Sequence, residues 1–131
     1  MHWTDRYIGR QWLADAYDCA DLVADVARDR LGIEVAIPSE RDWRRMEPGR
    51  IAELGAGWAQ PVDRPCEYDV ALMRIRGSRT SLGSHIGIVA MPAGSRVWIL
   101  HNLERVGTIL TQVSGLQRIH LELAGWYRWK K

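Results

Sequence analysis

The clearest pattern along the chain begins at Asp18. Cys19, Leu22, Val23 and Val26 recur at the spacing of one helix face, while Asp21, Asp25, Arg28 and Asp29 fall on the others. Asp18 is placed to cap this helix, and Gly32 to end it after Leu31. Residues 3–17 mix Trp, Tyr, Gly and Arg without a period and read as an irregular lead-in. Residues 33–67 are looser. Ser39 after Pro38 starts a short helix through Trp43-Arg44-Arg45, Pro48-Gly49 breaks it, and Arg50 to Leu54 forms another, closed by Gly55. Gln60 to Cys66, with Pro61 and Pro65, reads as an extended connector. The period then becomes two. Strands are expected at Asp69–Ile75, His85–Met91, Arg96–His101 and Gly107–Val113, with a polar turn at 76–84 and a hairpin turn at Pro92-Ala93-Gly94-Ser95. A short helical piece near Leu116–Ile119 and a last strand at Leu121–Trp129 complete the chain. Helices first and an antiparallel meander afterwards predict an α+β fold over 1–131 as one domain.

Composition narrows the function classes. The 131 residues are 47% hydrophobic and 26% charged, enough apolar material for one core. No apolar run approaches the roughly 18–20 residues that cross a bilayer, so no integral membrane segment is expected. Met1 to Arg6 lacks the apolar stretch of a signal peptide, which predicts cytoplasmic synthesis and any export by another route. The net charge is only +2 and the Arg residues alternate with Asp and Glu, so no nucleic-acid partner is expected. Cys19 and Cys66 lie in unlike surroundings and read as unpaired thiols. Seven Trp and four Tyr with no Phe give every aromatic ring a polar handle. Exposed Trp faces would suit a glycan-linked substrate; core packing is the plainer role for most of them.

One constellation carries chemistry. Cys19 opens the best helix, whose N-terminal partial charge favours a thiolate and whose N–H groups can hold an oxyanion. Asp18 and Asp21 oppose that, since nearby carboxylates disfavour another anion. His85 opens one strand and His101 ends the next, so the hairpin brings them together. Gly87, on the face of His85, leaves room for a close approach. A Cys, a His and a second polar group to orient that His are the parts of a thiol acyl-transfer site. Taken singly, a Cys at an apolar helix position is usually a small buried hydrophobe, and a His opening a strand is more often structural than catalytic. No pair of ligands has zinc spacing, and neither metal nor cofactor is expected.

Tyr17-Asp18-Cys19-Ala20-Asp21-Leu22-Val23 resembles the Asp-Cys-small-Gly-Leu-Val nucleophile motif of the NlpC family of papain-like cell-wall cysteine peptidases. Ser84-His85-Ile86-Gly87-Ile88 resembles its His-Val-Gly-Ile-Tyr base motif, and Glu67 to Leu72 its preceding strand. His101 stands where the family places its third polar residue. Tyr7 to Trp12 and Gly125 to Arg128 are similar to the ends of the phage-tail and prophage branch. The departures are Asp21 in place of Gly, Leu13-Ala14-Asp15-Ala16 in place of a glycine-rich turn, and no clean match for an upstream Tyr.

The resemblance implies an NlpC-type fold with Cys19 as nucleophile, His85 as base and His101 as its orienter, Asn102 being the lesser candidate. It implies Trp12, Tyr17, Asp18 and Ser84 around the substrate. The implied substrate is a peptidoglycan stem peptide, commonly cut at the D-glutamyl to diamino-acid bond, and the implied partners are phage tail proteins of a virion acting at the cell wall. Two other readings stand beside it: a silent tail-assembly or wall-binding module of the same fold, and a Cys–His amidase or acyltransferase with another substrate.

Overall fold

The computed structural model describes residues 2–14, 16–38, 57–76, 84–92, 94 and 96–130. The short helices expected within 39–54, residues 77–83 of the polar turn, and Ala93 and Ser95 of the hairpin turn lie outside them.

Helix α1 spans Cys19–Val26. Asp18 caps it, accepting from the N–H groups of Ala20 and Asp21, while the Asp21 carboxylate accepts from the Asp18 N–H, a reciprocal capping box. A π turn over Ala27–Leu31 continues α1, and Gly32 ends it at φ +68°, a left-handed conformation that costs glycine little. Cys19, Leu22, Val23 and Val26 are buried on one stripe, as their spacing predicts. Each of the last three contributes about 1.5–3 kcal/mol relative to exposure.

Among the described residues, six strands form one antiparallel sheet: β1 Ala59–Val62, β2 Val70–Ile75, β3 Ser84–Ala90, β4 Trp98–Leu103, β5 Gly107–Gln112 and β6 Leu121–Trp129. The spatial order is β1-β6-β2-β3-β4-β5, so the molecule is α+β. The expected simple meander holds only from β2 to β5. A 3-10 segment, Val113–Ile119, carries the chain back across one face so that β6 enters between β1 and β2.

Three further expectations need correction. Part of the connector over 60–66 is β1, whose Pro61 is tolerated because β1 is an edge strand. The third expected strand is displaced: β4 runs to Leu103, so His101 lies in its interior, because pairing with β5 continues to Leu103↔Gly107. The lead-in is not wholly irregular, since His2 caps a 3-10 turn over Trp3–Arg6. Farther on, Gly9 donates to the Thr108 carbonyl and Thr108 donates to that of Arg10, covering the outer edge of β5. Gly107 permits this approach: a Cβ there would sit 2.9 Å from the Arg10 carbonyl oxygen, at φ +101°.

The sheet has two apolar faces. Val70, Ile86, Ile88 and Leu100 form one cluster with the buried stripe of α1, and Met73, Ile99, Leu116 and Leu121 form a second beneath the 3-10 segment. Among the described residues no helix is long and apolar enough to cross a membrane.

Candidate functional site

Cys19 is the first residue of α1 and is fully buried. It packs in the cluster that contains Ile86, Ile88 and Leu100. Neither Cys19 nor Cys66 is in a disulfide. The first-turn N–H groups expected to hold an oxyanion are partly committed: Ala20 donates to Asp18 Oδ1 at 3.0 Å and Asp21 does so at 3.4 Å. Asp18, itself fully buried, therefore acts as the helix cap.

The two histidines meet. His85 Nε2 and His101 Nδ1 are 2.8 Å apart, with the rings edge to face at 5.1 Å between centroids. His85 is 6% exposed and His101 is fully buried. Burial, reinforced by the neighbouring His85, pushes the His101 pKa down from 6.5 to about 3, so its ring is neutral at physiological pH. The other ring nitrogen, Nε2, lies 2.8 Å from Thr111 Oγ1. Three side chains from three neighbouring strands thus form one hydrogen-bonded row.

The sheet positions this row. The β3–β4 ladder covers Ile88↔Leu100, Val89↔Ile99 and Ala90↔Trp98, and both histidines lie beyond it, toward the start of β3. Gly87 is packed against β4: a Cβ built on it would fall 3.0 Å from His101 Cβ and 2.7 Å from the Leu100 carbonyl oxygen. The missing side chain admits the backbone of β4, which is the close approach expected at this glycine. Register pairs Met73 with His85, and Ile99 lies two residues before His101. Along β3 and β4 the two histidines alternate with Ile86, Ile88 and Leu100, the residues that share a cluster with Cys19, so strand alternation sets the histidines on the opposite face, that of Met73 and Ile99.

Of the residues expected around a substrate, Tyr17 is occupied. Its hydroxyl donates to Asp25 at 2.8 Å and accepts from Arg10 at 3.0 Å. Burial, more than Asp25, raises its pKa well above the usual phenol range. Trp12 is half-buried, and its indole N–H has no hydrogen-bond partner among the described residues. Ser84 is half-buried at the start of β3, paired with Arg74. Asn102 is fully buried and donates to the Tyr17 carbonyl at 3.3 Å, tying the approach to Cys19 onto β4. The bond to the first His is made by His101, and Asn102 braces the backbone instead.

Sequence reasoning missed Thr111. Its signal is register: the turn at 104–106 sets Leu103 opposite Gly107, which places Thr111 opposite Ile99 and diagonal to His101. His2, which no sequence pattern marks, bonds Thr4 and Glu67. Trp3 donates to the same Glu67 oxygen at 2.6 Å, and the N-terminal turn is fastened to the residues before β2. The Trp residues divide unevenly. Trp58 and Trp129 stack at 5.2 Å, Trp98 and Trp126 are half-buried, and Trp43 lies outside the described residues. Among the described residues, no group of three or more His, Cys, Asp or Glu side chains could hold a metal ion. Set against family models, curated proteins and solved structures, the chain finds no match in any of the three, and what the site does is read from its own residues and their geometry.

Proposed function

We propose that this chain is a cysteine hydrolase of the papain-like NlpC type that cleaves amide bonds in peptidoglycan stem peptides, in association with a phage or prophage tail. The single observation that carries this reading is the row His85–His101–Thr111, in which one imidazole is held by a second that is itself held by a hydroxyl. A base in such a site needs one ring nitrogen toward the nucleophile and the other held by an orienting group. His85 has its Nε2 held by His101, which directs Nδ1 to the proton-transfer role. In the proposed reaction the Cys19 thiol gives its proton to His85 Nδ1, and the thiolate attacks the amide carbonyl. The oxyanion forms in the positive field of the α1 N-terminus. His85 then protonates the departing amine, and water hydrolyses the thioester. The D-glutamyl to diamino-acid bond is the proposed scissile bond. Cys19→Ala should abolish muropeptide cleavage, with circular dichroism and urea unfolding showing a folded protein; undiminished turnover refutes the hydrolase.

A second reading, a non-catalytic module of the same fold, has a specific observation in its favour. Cys19 is fully buried, whereas reactive cysteines are partly accessible, and it packs among apolar side chains on the sheet face that strand alternation turns away from His85 and His101. Iodoacetamide labelling of Cys19 against pH, in a Cys66→Ser background because Cys66 is exposed, separates the two. Labelling with an apparent pKa several units below the usual value of about 8.5 supports the enzyme. Labelling near that value, or only on unfolding, supports the module.

A further inference from the structure

His101 is buried and neutral, so it carries one ring proton shared between two possible positions. Each of its nitrogens is 2.8 Å from a partner. If the proton is on Nε2, His101 donates to Thr111 and its Nδ1 accepts from His85 Nε2–H. His85 then keeps its proton on Nε2, and its Nδ1 is a lone pair able to take one. If the proton is on His101 Nδ1, every bond in the row reverses: Thr111 donates, His101 donates to His85 Nε2, and the neutral His85 carries its proton on Nδ1. In that second arrangement His85 cannot accept a proton at Nδ1.

We infer that Thr111 is a positioning residue which, by accepting the hydrogen bond from His101 Nε2–H, fixes the tautomer of both histidines and keeps His85 Nδ1 basic. A hydroxyl oxygen can accept while its own hydrogen turns elsewhere. Thr111 is only half-buried on β5, an edge of the sheet, so its O–H can turn toward solvent while its oxygen accepts from the interior. Removing the oxygen leaves Nε2 of the fully buried His101 ring without its acceptor. A buried N–H without an acceptor is costly, and the proton moves to Nδ1, where His85 Nε2 accepts it. The importance of this for turnover rests on the hydrolase reading; the tautomer assignment does not.

The test compares wild type, Thr111→Val and Thr111→Ser. Long-range proton–nitrogen NMR of the imidazoles reads the tautomers directly. Expected are an Nε2–H His101 in wild type and Thr111→Ser, and a shift to Nδ1–H in Thr111→Val. Muropeptide cleavage should fall by about tenfold or more in Thr111→Val, as is common for groups that orient a reactive side chain, and return to within about threefold in Thr111→Ser. A tautomer switch from wild type to Thr111→Val, found together with a wild type that cleaves no muropeptide, leaves the inference standing and removes the hydrolase. An unchanged Nε2–H tautomer in a folded Thr111→Val, or an Nδ1–H tautomer in wild type, overturns the inference whatever the activity.

Discussion

Gly87→Ala probes the contact between β3 and β4 on which the histidine pair depends. The added methyl would lie 2.6 Å from Ile99 Cγ2, 2.7 Å from the Leu100 carbonyl oxygen and 3.0 Å from His101 Cβ. The Ile99 side chain can rotate away, but the carbonyl belongs to the ladder and moves only with its strand. Restoring an ordinary contact of about 3.4 Å needs a displacement of roughly 0.7 Å between the strands. Overpacking of this kind costs about 1–3 kcal/mol, a large part of a total stability of about 5–15 kcal/mol. For a chain of this length each kcal/mol lowers Tm by roughly 3–5 °C. The same displacement would stretch the 2.8 Å bond between His85 and His101 to the limit of hydrogen bonding. Urea unfolding gives the stability, and imidazole NMR shifts report the pair. Gly115→Ala is the control, since its methyl would meet only Thr111 Cγ2, at 3.8 Å. Gly87→Ala within about 0.5 kcal/mol of wild type, with both imidazoles unshifted, would refute the reasoning.

Two other expectations concern stability. Burial holds the His101 pKa near 3, so below about pH 6.5 the unfolded chain binds a proton that the folded protein refuses. Stability from this group is whole above pH 6.5 and is lost as pH falls toward 3, amounting to about 2 kcal/mol by pH 5. Urea titrations across pH 4–8 should show a shallower acid decline in His101→Asn than in wild type, and parallel profiles would contradict the assignment. Asp18→Ala removes the acceptor for Ala20 and half of the capping box, costing about 1–2 kcal/mol by denaturant unfolding and speeding hydrogen exchange at Ala20 and Asp21, with partial recovery in Asp18→Asn. An Asp18→Ala protein as stable as wild type would show that the cap is dispensable.

Local rules make α1 legible in the sequence. Its stripe of Cys19, Leu22, Val23 and Val26, its cap at Asp18 and its end at Gly32 depend only on residues within a few positions of one another. The cores of β2, β3 and β5 are legible for the same reason, as alternating runs between turn residues. The nearness of His85 to His101 follows from a hairpin joining their strands, a connection too short to part them.

What escapes the sequence is non-local. The entry of β6 between β1 and β2 depends on which edge offers apolar surface to residues some fifty positions away, and alternation carries no such information. The end of β4 falls two residues beyond the expected one because its partner β5, not its own composition, decides where pairing stops. The occupation of Tyr17 by Arg10 and Asp25, and the bond from Asn102 to the Tyr17 carbonyl, arise between segments that no periodicity links. The pattern of hydrophobic and polar positions thus determined α1, the cores of β2 to β6 and the histidine candidates, because those follow from spacing along one strand or helix. Tertiary structure alone decided that His101 is neutral, that Thr111 ends its hydrogen-bonded row, and that Cys19 is closed off from solvent, because burial and register are properties of the whole sheet.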